Sequence, residues 1–401
     1  ESRKSIRYLC GMLRKDLTSL NTGPSLRIGV LGGGQLGRMM IQSAIDLDMR
    51  VEVMDPSREA PCKSLTHRFV QGDLNDADSV YDFGKDLDVI TIEIEHVSVE
   101  GLRRLEASGV RVIPRPNHIA LIQDKGLQKQ FFAKHKIPTA DFTLIDEGGN
   151  LTEMGFPVVQ KLRVGGYDGK GVQILKSESD IIQKGFTDAS VLEQAVDIDK
   201  ELGVIVARNA SGATAIYPIV ESIFDPNANL VSSLFAPAQI DDSLTEKAKN
   251  LALNVVEAMD FEGLMAVELF LSKSGELFVN EIAPRTHNSG HHTIESNRTS
   301  QFAQHLRVVA GLPLGDVSKL HNASGMINLL GSADAAGAPV YERLHEAIEM
   351  PGVHPHLYGK SQVKPFRKMG HVTVTGSNHE EVHKKVLKLL EILCVTGTQE
   401  R

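Results

Sequence analysis

The 401-residue chain has only three cysteines, Cys10, Cys62 and Cys394, far apart and without C-x-x-C spacing. That scarcity excludes a disulfide framework and a cysteine-built metal site, and a reducing compartment fits best. No apolar run approaches the length that crosses a bilayer, and nothing resembles a secretory apolar segment at the start, so no membrane association is expected. Positive charge is outnumbered, with 43 Lys and Arg against 51 Asp and Glu. The net charge of −8 argues against nonspecific nucleic-acid binding and turns any local basic cluster into a feature of a site. Internal repeats and low-complexity tracts are missing too. What remains is 41% hydrophobic residues over a length suited to two or three domains, an ordinary profile for a globular enzyme with a large core. The first residues carry Arg3, Lys4, Arg7, Arg14 and Lys15 against Glu1 and Asp16, as expected of a mature end behind a removed targeting segment or of a solvated extension.

From Leu26 to Pro116, short apolar runs (LRIGVL, VEVMD, LDVITIEIE, VRVIP) alternate with helix-like stretches, the rhythm of a parallel βαβ domain. A second unit starts near Asn117 with one long helix pattern, HIALIQDKGLQKQFFAKHK. Between Pro157 and Tyr217 the texture becomes strand-loop-strand and reads as a small antiparallel lid. A helix (SLTEKAKNLALNVVEAM), a second strand pair and an α+β tail ending in HEEVHKKVLKLLEIL complete the chain. The expected division is an extension over 1–25, a Rossmann-like domain over 26–116, a second domain over 117–315 with its lid at about 157–217, and a C-terminal domain over 316–401.

Four stretches carry chemistry. IGVLGGGQLGRMM places Gly32, Gly34 and Gly37 at dinucleotide-fingerprint spacing, and VEVMD ends on Asp55 where a ribose-binding carboxylate would sit. An NAD-dependent oxidoreductase is therefore one expectation. The same turn can instead hold another phosphate or simply pack a strand on a helix. In LMAVELFLSKSGELFVNEIAPR, two strands meet at Ser274-Gly275. A two-residue hairpin loop there sets Glu268 opposite Glu281. Opposed like charges are destabilising unless a divalent cation lies between them, and hard oxygen ligands, Asn280 included, suit Mg²⁺ bridging to nucleotide phosphates. A three-residue loop would shift that register by one. In QKLRVGGYDGKG, Lys161 precedes a glycine loop whose N–H groups and Lys170 can close over phosphates while Asp168 faces a second substrate. It lacks the Walker A order. APRTHNSGHHTIES reads as an anion-binding loop around Arg285; its His287, His291 and His292 lack a zinc-protease pattern. QVKPFRKMGH clusters Lys364, Arg367 and Lys368, which in an acidic protein suit a phosphorylated substrate.

Taken together, GGGQLGRM, TIEIEHV, IQDK, GGYDGKG, YPIVESI, NEIAPRTHNSGHHT, TSQFAQHL and RKMGH resemble the N5-carboxyaminoimidazole ribonucleotide synthetases of the ATP-grasp family, over Leu26 to the C-terminus. TIEIEHV, LIQDK, YPIVESI and LYGK resemble most the eukaryotic form, the N-terminal part of a fused phosphoribosylaminoimidazole carboxylase. The resemblance implies an α/β and α+β ATP-grasp fold with an N-terminal Rossmann-like parallel sheet. It implies ATP-dependent carboxylation of 5-aminoimidazole ribonucleotide by bicarbonate in purine synthesis, with ATP and Mg²⁺ as cofactors. Gly34, Gln35, Leu36 and Glu93 then line the ribonucleotide pocket with Tyr167, Asn288 and Ser289. Lys125 and Lys161 reach ATP phosphates beside the loop residues Gly166, Tyr167, Gly169 and Gly171. Glu193, Gln194 and Val196 meet the adenine edge and Glu201 the ribose, while Glu268, Asn280 and Glu281 hold Mg²⁺. Asp168 orients the amine, Arg285 and His287 border bicarbonate, and Lys170, Lys364, Arg367 and Lys368 hold the ribonucleotide phosphate. Phe224 stands where relatives often carry histidine, which removes a nucleotide contact. The implied partners are a mutase-type carboxylase domain downstream and a second copy in a homodimer, in the cytoplasm or, behind a transit peptide, the plastid stroma. Competing expectations are the oxidoreductase, another ATP-grasp ligase such as a formate-using ribonucleotide transformylase, and a noncatalytic nucleotide-binding regulator.

Overall fold

The computed structural model describes residues 26–152, 154–166, 171–225 and 230–398. Strands β1 (Arg27–Leu31), β2 (Arg50–Asp55), β3 (Arg68–Gln71), β4 (Val89–Ile92) and β5 (Arg111–Val112) form a parallel sheet in the order β3-β2-β1-β4-β5. β3, RFVQ, has no run of apolar residues and is absent from the sequence rhythm; it forms because β2 offers it an edge. Strand order reverses between β1 and β4, which opens a crevice beyond their C-terminal ends, where the glycine turn lies.

Strands β6 (Phe142–Ile145), β7 (Val158–Leu162), β8 (Val172–Leu175) and β9 (Ser190–Gln194) make a small antiparallel sheet, ordered β6-β9-β7-β8. The large sheet takes β10 (Ile198–Arg208), β11 (Thr214–Ile216), β12 (Val220–Asp225), β13 (Leu230–Ala236), β14 (Gly263–Ser272), β15 (Leu277–Ala283) and β16 (Ala323–Leu330). After β17 (Pro339–Glu342) come β18 (Val353–Leu357) and β19 (Lys368–Gly376), which join the same sheet, and β20 (Cys394–Gly397), which pairs with β17. Its path is β15-β14-β10-β12-β13-β16-β19-β18, so the C-terminal strands extend the sheet that carries β14 and β15. The chain crosses from the small sheet to the large one between β9 and β10.

The helix pattern before Pro138 is broken. Helices Pro116–Gln123 and Lys125–Lys134 meet at Asp124, whose extended backbone (φ −114°, ψ 108°) ends one and whose carboxylate accepts from the Gly126 and Leu127 N–H groups to start the other. Arg163 grips the same carboxylate through Nε (3.0 Å) and Nη2 (2.5 Å). Lys125 therefore becomes the first helical residue beside β15 instead of a mid-helix surface lysine.

Helix Asp242–Ala258 covers β10 and β14 with Ala248, Leu251, Ala252, Val255 and Val256. Helices Gln35–Asp46 and Gln301–Val309 share one core through Met39, Met40, Phe302 and Leu306, which also takes Ile205 and Ala266 of the large sheet. Each such fully buried side chain stabilises by roughly 1.5–3 kcal/mol. That shared core locks the glycine-turn crevice against the large sheet.

Candidate functional site

A cavity of about 640 Å³ lies where the glycine turn, the large sheet and the segment after β15 meet; it is lined, among others, by Gln35, Glu93, Lys125, Glu201, Glu268, Glu281, Arg285 and His291. At one wall, Gly32 has φ +101° and carries the turn back over β4, so closely that a Cβ would collide with the Glu93 side chain. The Glu93 carboxylate accepts from the Gly34 and Gly37 N–H groups, each at 2.5 Å. Burial pushes its carboxyl up, and those two N–H groups oppose the shift. Asp55 in turn accepts from Gly33 and Ser57 N–H groups, both at 2.7 Å. The amides that a dinucleotide pyrophosphate would use, and the carboxylate that its ribose would use, are thus taken by the protein itself.

Another part of the wall is the β14–β15 hairpin. Its loop is not two residues: Ser272 and Glu276 close it around Lys273, Ser274 and Gly275, the last at φ +84°. Pairing therefore starts one residue out of the expected register, with Leu271 opposite Leu277 and Leu269 opposite Val279. A bulge between Leu269 and Glu268 then absorbs Asn280 and brings Glu268 opposite Glu281 after all. The extra residue has a second consequence. Neighbours on a regular strand face opposite ways, whereas the bulge re-aims Asn280, and its Nδ2 lies 3.4 Å from Glu268 Oε2.

Each charge has an answer. Lys125 Nζ bonds the Glu281 carboxylate, and His287 Nε2 lies 3.3 Å from Glu268 Oε1. The lysine beside it holds Glu281 well below the usual carboxylate range, while burial and the neighbouring Glu281 push Glu268 up. Glu201, across β14, is pushed up to about 7 by burial. One layer behind, Lys161 Nζ donates to Asn280 Oδ1 (2.7 Å) and pairs with Glu193 (3.1 Å), which also pairs with Lys129 (3.2 Å). Burial lowers Lys129 to about 8, and its ammonium donates to Thr139 Oγ1 at 2.5 Å.

Two opposed carboxylates form a hard, oxygen-only donor pair that suits Mg²⁺; the Asn280 oxygen is taken by Lys161, and its amide nitrogen faces Glu268. Among the described residues no group of three or more His, Cys, Asp or Glu could hold a metal. Such an ion needs further oxygens from phosphates and water, which is how Mg²⁺ is usually bound beside nucleotides. His287, His291 and His292 do not converge: they turn to Ser289, Gln301 and the Ser296 and Ser324 hydroxyls respectively.

Of the residues singled out in the sequence, Gln35, Leu36, Glu93, Lys125, Gly166, Glu201, Glu268, Glu281, Arg285, His287, Asn288, Ser289 and Lys368 line the cavity. Gly34 does not line the cavity itself but donates its N–H to Glu93, which does. Gln194 and Val196 lie at the crossing between the two sheets, with Gln194 Nε2 on the Pro157 carbonyl. Glu193 is committed to its two lysines. Gly171 closes the base of the glycine loop through its carbonyl, bonded by Leu162 N–H; Tyr167, Asp168, Gly169 and Lys170 lie outside the described residues. Of the basic cluster only Lys368, the first residue of β19, reaches the cavity. Lys364 and Arg367 belong to a loop pinned on Gly331, and Arg367 Nη1 donates to the Gln362 carbonyl at 2.7 Å. Phe224 lines the cavity. Lys129, Arg163 and Gln301 were not singled out; the i+4 spacing of Lys125 and Lys129 was the available signal for the first, and nothing local marks the others.

Comparison with known proteins places these elements. Residues 26–123 match the model of the ribonucleotide synthetase preATP-grasp domain, 130–302 that of the ATP-grasp domain, and 324–385 that of the phosphoribosylaminoimidazole carboxylase C-terminal domain. The chain is 39% identical to the chloroplastic phosphoribosylaminoimidazole carboxylase of Vigna aconitifolia, with 91% of this chain covering 66% of that one. It is 37% identical to the N5-carboxyaminoimidazole ribonucleotide synthase of Synechococcus elongatus, over 89% of this chain and 91% of the relative. The chain thus spans about two thirds of the first relative and most of the second. Its fold matches the crystal structure of N5-carboxyaminoimidazole ribonucleotide synthetase from Thermotoga maritima with TM-score 0.86 and 40% identity, covering 93% of this chain and all of that one. It matches the Aspergillus clavatus synthase in complex with ADP and 5-aminoimidazole ribonucleotide with TM-score 0.83 and 32% identity, over 92% and 98%.

Proposed function

The chain belongs to the N5-carboxyaminoimidazole ribonucleotide synthetases of the ATP-grasp family, and from that membership we propose that it joins bicarbonate to the exocyclic amine of 5-aminoimidazole ribonucleotide at the cost of ATP. The observation that carries this reading is the sharing of one cavity by the Glu268–Glu281 hairpin and a glycine turn already filled by Glu93. A nucleotide with its Mg²⁺ belongs at the hairpin, and the turn is left to shape a pocket for a second substrate. Bound there, Mg²⁺ would be held by Glu268 and Glu281, and by Asn280 once its oxygen leaves Lys161, and would neutralise charge on the transferring phosphoryl group.

The chain's own residues do the rest. Lys125 exchanges its Glu281 contact for ATP phosphate, with Lys161 and Lys129 behind it. Glu201 takes the ribose, and Gln194 and Val196 meet the adenine edge at the crossing between the sheets. Arg285, held by Glu95 at 2.8 Å, and His287 orient bicarbonate for attack on the γ-phosphorus. ADP leaves and carboxyphosphate forms. The amine nitrogen then attacks the carboxyl carbon; phosphate departs and the nitrogen loses one proton. Asp168 orients that amine, and the glycine loop from Gly165 to Gly171 excludes water that would otherwise consume the anhydride. Lys368 anchors the ribonucleotide phosphate, with Lys364, Arg367 and Lys170 adding charge around it.

The proposed division is 26–116, 117–315 and 316–401, with a mutase-type domain as downstream partner, a homodimer as assembly, and cytoplasm or plastid stroma as location. Incubation with ¹³C-bicarbonate, ATP, Mg²⁺ and ribonucleotide tests the activity: a carbamate carbon signal should appear together with one ADP per product. Equal ADP formation without ribonucleotide and no carbamate signal would overturn it.

A further inference from the structure

Gln301 opens the helix Gln301–Val309 and lies fully buried beneath the His287–His291 segment. Its amide can be oriented in only one way. The His287 backbone N–H, an obligate donor, meets Oε1 at 2.9 Å, and the His287 carbonyl, an obligate acceptor, meets Nε2 at 2.7 Å. The same Nε2 lies 3.2 Å from His291 Nδ1. Since Gln301 can only donate there, His291 Nδ1 must accept, and the ring proton must sit on Nε2. Gly290 is what lets Gln301 approach: a Cβ at that position would collide with Gln301 Oε1 and Ile205 Cδ1.

His291 is 1% exposed yet lines the cavity, and its Nε2 has no hydrogen-bond partner among the described residues. Phe302, Tyr358 and His371 pack around its ring. The charged and titratable groups facing it are His287, His292, His356, His371, Tyr358 and Lys368, none of which favours an imidazolium. Burial acts in the same direction.

We propose that His291 is a permanently neutral Nε2–H donor that recognises an uncharged acceptor of the ribonucleotide, a ribose hydroxyl or ring nitrogen, and that Gln301 is the positioning residue that fixes its tautomer. This rests on the proposed function for the identity of the ligand, but the tautomer does not depend on it. Lys368 already supplies the cation that a phosphate needs, whereas Lys125 and Lys161 serve the hairpin end of the cavity. A neutral donor beside Asn288 and Ser289 suits the uncharged part of the same molecule. It discriminates because an analogue lacking the acceptor leaves a buried N–H unpaired.

The test uses the full chain labelled with ¹⁵N-histidine, the His291 resonances being those lost in His291→Gln. The expected spectrum shows a protonated Nε2 and a bare Nδ1 that do not titrate between about pH 6 and 9, the range in which an ordinary histidine has already lost its charge or is losing it. Proton on Nδ1, or titration within that range, overturns the tautomer assignment. Adding ribonucleotide should move the Nε2 resonance, and adding Mg-ADP should not; the reverse pattern, or no movement with ribonucleotide, overturns the ligand assignment. In turnover, His291→Leu should raise the ribonucleotide KM about tenfold at unchanged ATP KM, the effect of one unpaired buried hydrogen-bonding group. His291→Gln, which keeps a donor near that place, should recover most of it, and equal losses in both variants count against the proposal. Gln301→Glu should place a proton on Nδ1 in the spectrum, an effect that loss of packing alone would not produce. A wild-type chain that makes no ribonucleotide-dependent ADP would sink the proposed function and the ligand assignment, leaving the tautomer to be judged by the spectrum alone.

Discussion

Two carboxylate sites line the same cavity, and they solve the same problem in opposite ways. Glu93 is satisfied by backbone: two N–H groups hold its two oxygens at 2.5 Å, and the helix start lies immediately behind. Glu268 and Glu281 are set opposite each other on paired strands and balanced by side chains that can leave, Lys125 and His287. A carboxylate held by amides is part of the scaffold, since nothing can displace those amides without unfolding the turn. Carboxylates held by a lysine and a histidine can exchange those partners for a metal and a phosphate. The comparison explains why a dinucleotide fingerprint and a nucleotide site occur in one chain at different places.

The largest effect that can break this comparison is at the hairpin. Glu281→Gln keeps side-chain volume and should leave thermal unfolding little changed, while kcat falls on the order of a hundredfold or more, as for other groups that stabilise developing charge. Near-normal ADP production would remove Glu281 from the metal site. At the turn the pattern should invert. Glu93→Gln can accept from only one of the two glycine amides and sets an NH₂ against the other, so stability should fall by roughly 2–3 kcal/mol in denaturant titration. Its loss should also fail to create any protection by NAD, because Asp55 still occupies the Gly33 amide.

Glu201 sharpens the comparison through pH. Its carboxyl moves from the usual 4.5 to about 7 on folding because burial penalises the charge. The native state then binds more protons than the unfolded state between those values, so stability should decline as pH rises through that window. Glu201→Gln should flatten that part of the profile, and an unaltered slope would remove Glu201 as its source. The smallest effect concerns the basic cluster. Lys368→Ala should raise the ribonucleotide KM clearly more than Arg367→Ala, because only Lys368 lines the cavity and Arg367 is bonded to the Gln362 carbonyl. An equal or larger rise for Arg367→Ala would place the 359–367 loop over the substrate.

The β14–β15 hairpin shows what sequence could carry and what it could not. Alternation and the Ser274-Gly275 turn signal placed both strands, and Glu268 does face Glu281. The route was different: a three-residue loop shifts the register by one and the bulge at Asn280 shifts it back. Nothing local announces a bulge, because its cost is met by the site it builds. Asp124 teaches the same lesson for helices. Its capping role competes with an otherwise continuous helical pattern, and the Arg163 fork that settles the matter comes from 39 residues away. Glu93 could be named as a pocket residue from resemblance, yet its use in plugging the glycine turn depends on β4 lying beside β1, which only the folded sheet supplies. Lys364 and Arg367 looked equivalent to Lys368 as charges in a row; β19 begins at Lys368 and the loop before it is drawn toward Gly331.

The central claim, that nucleotide binds through Mg²⁺ at the Glu268–Glu281 hairpin and not at the glycine turn, is tested most directly by calorimetric titration of ATP into the wild-type chain with and without Mg²⁺, beside Glu281→Gln and an NAD titration. The expected result is one site whose affinity rises with Mg²⁺ in the wild type, loses most of that gain in Glu281→Gln, and has no counterpart for NAD. ATP binding that ignores both Mg²⁺ and the substitution, or saturable NAD binding, would contradict it.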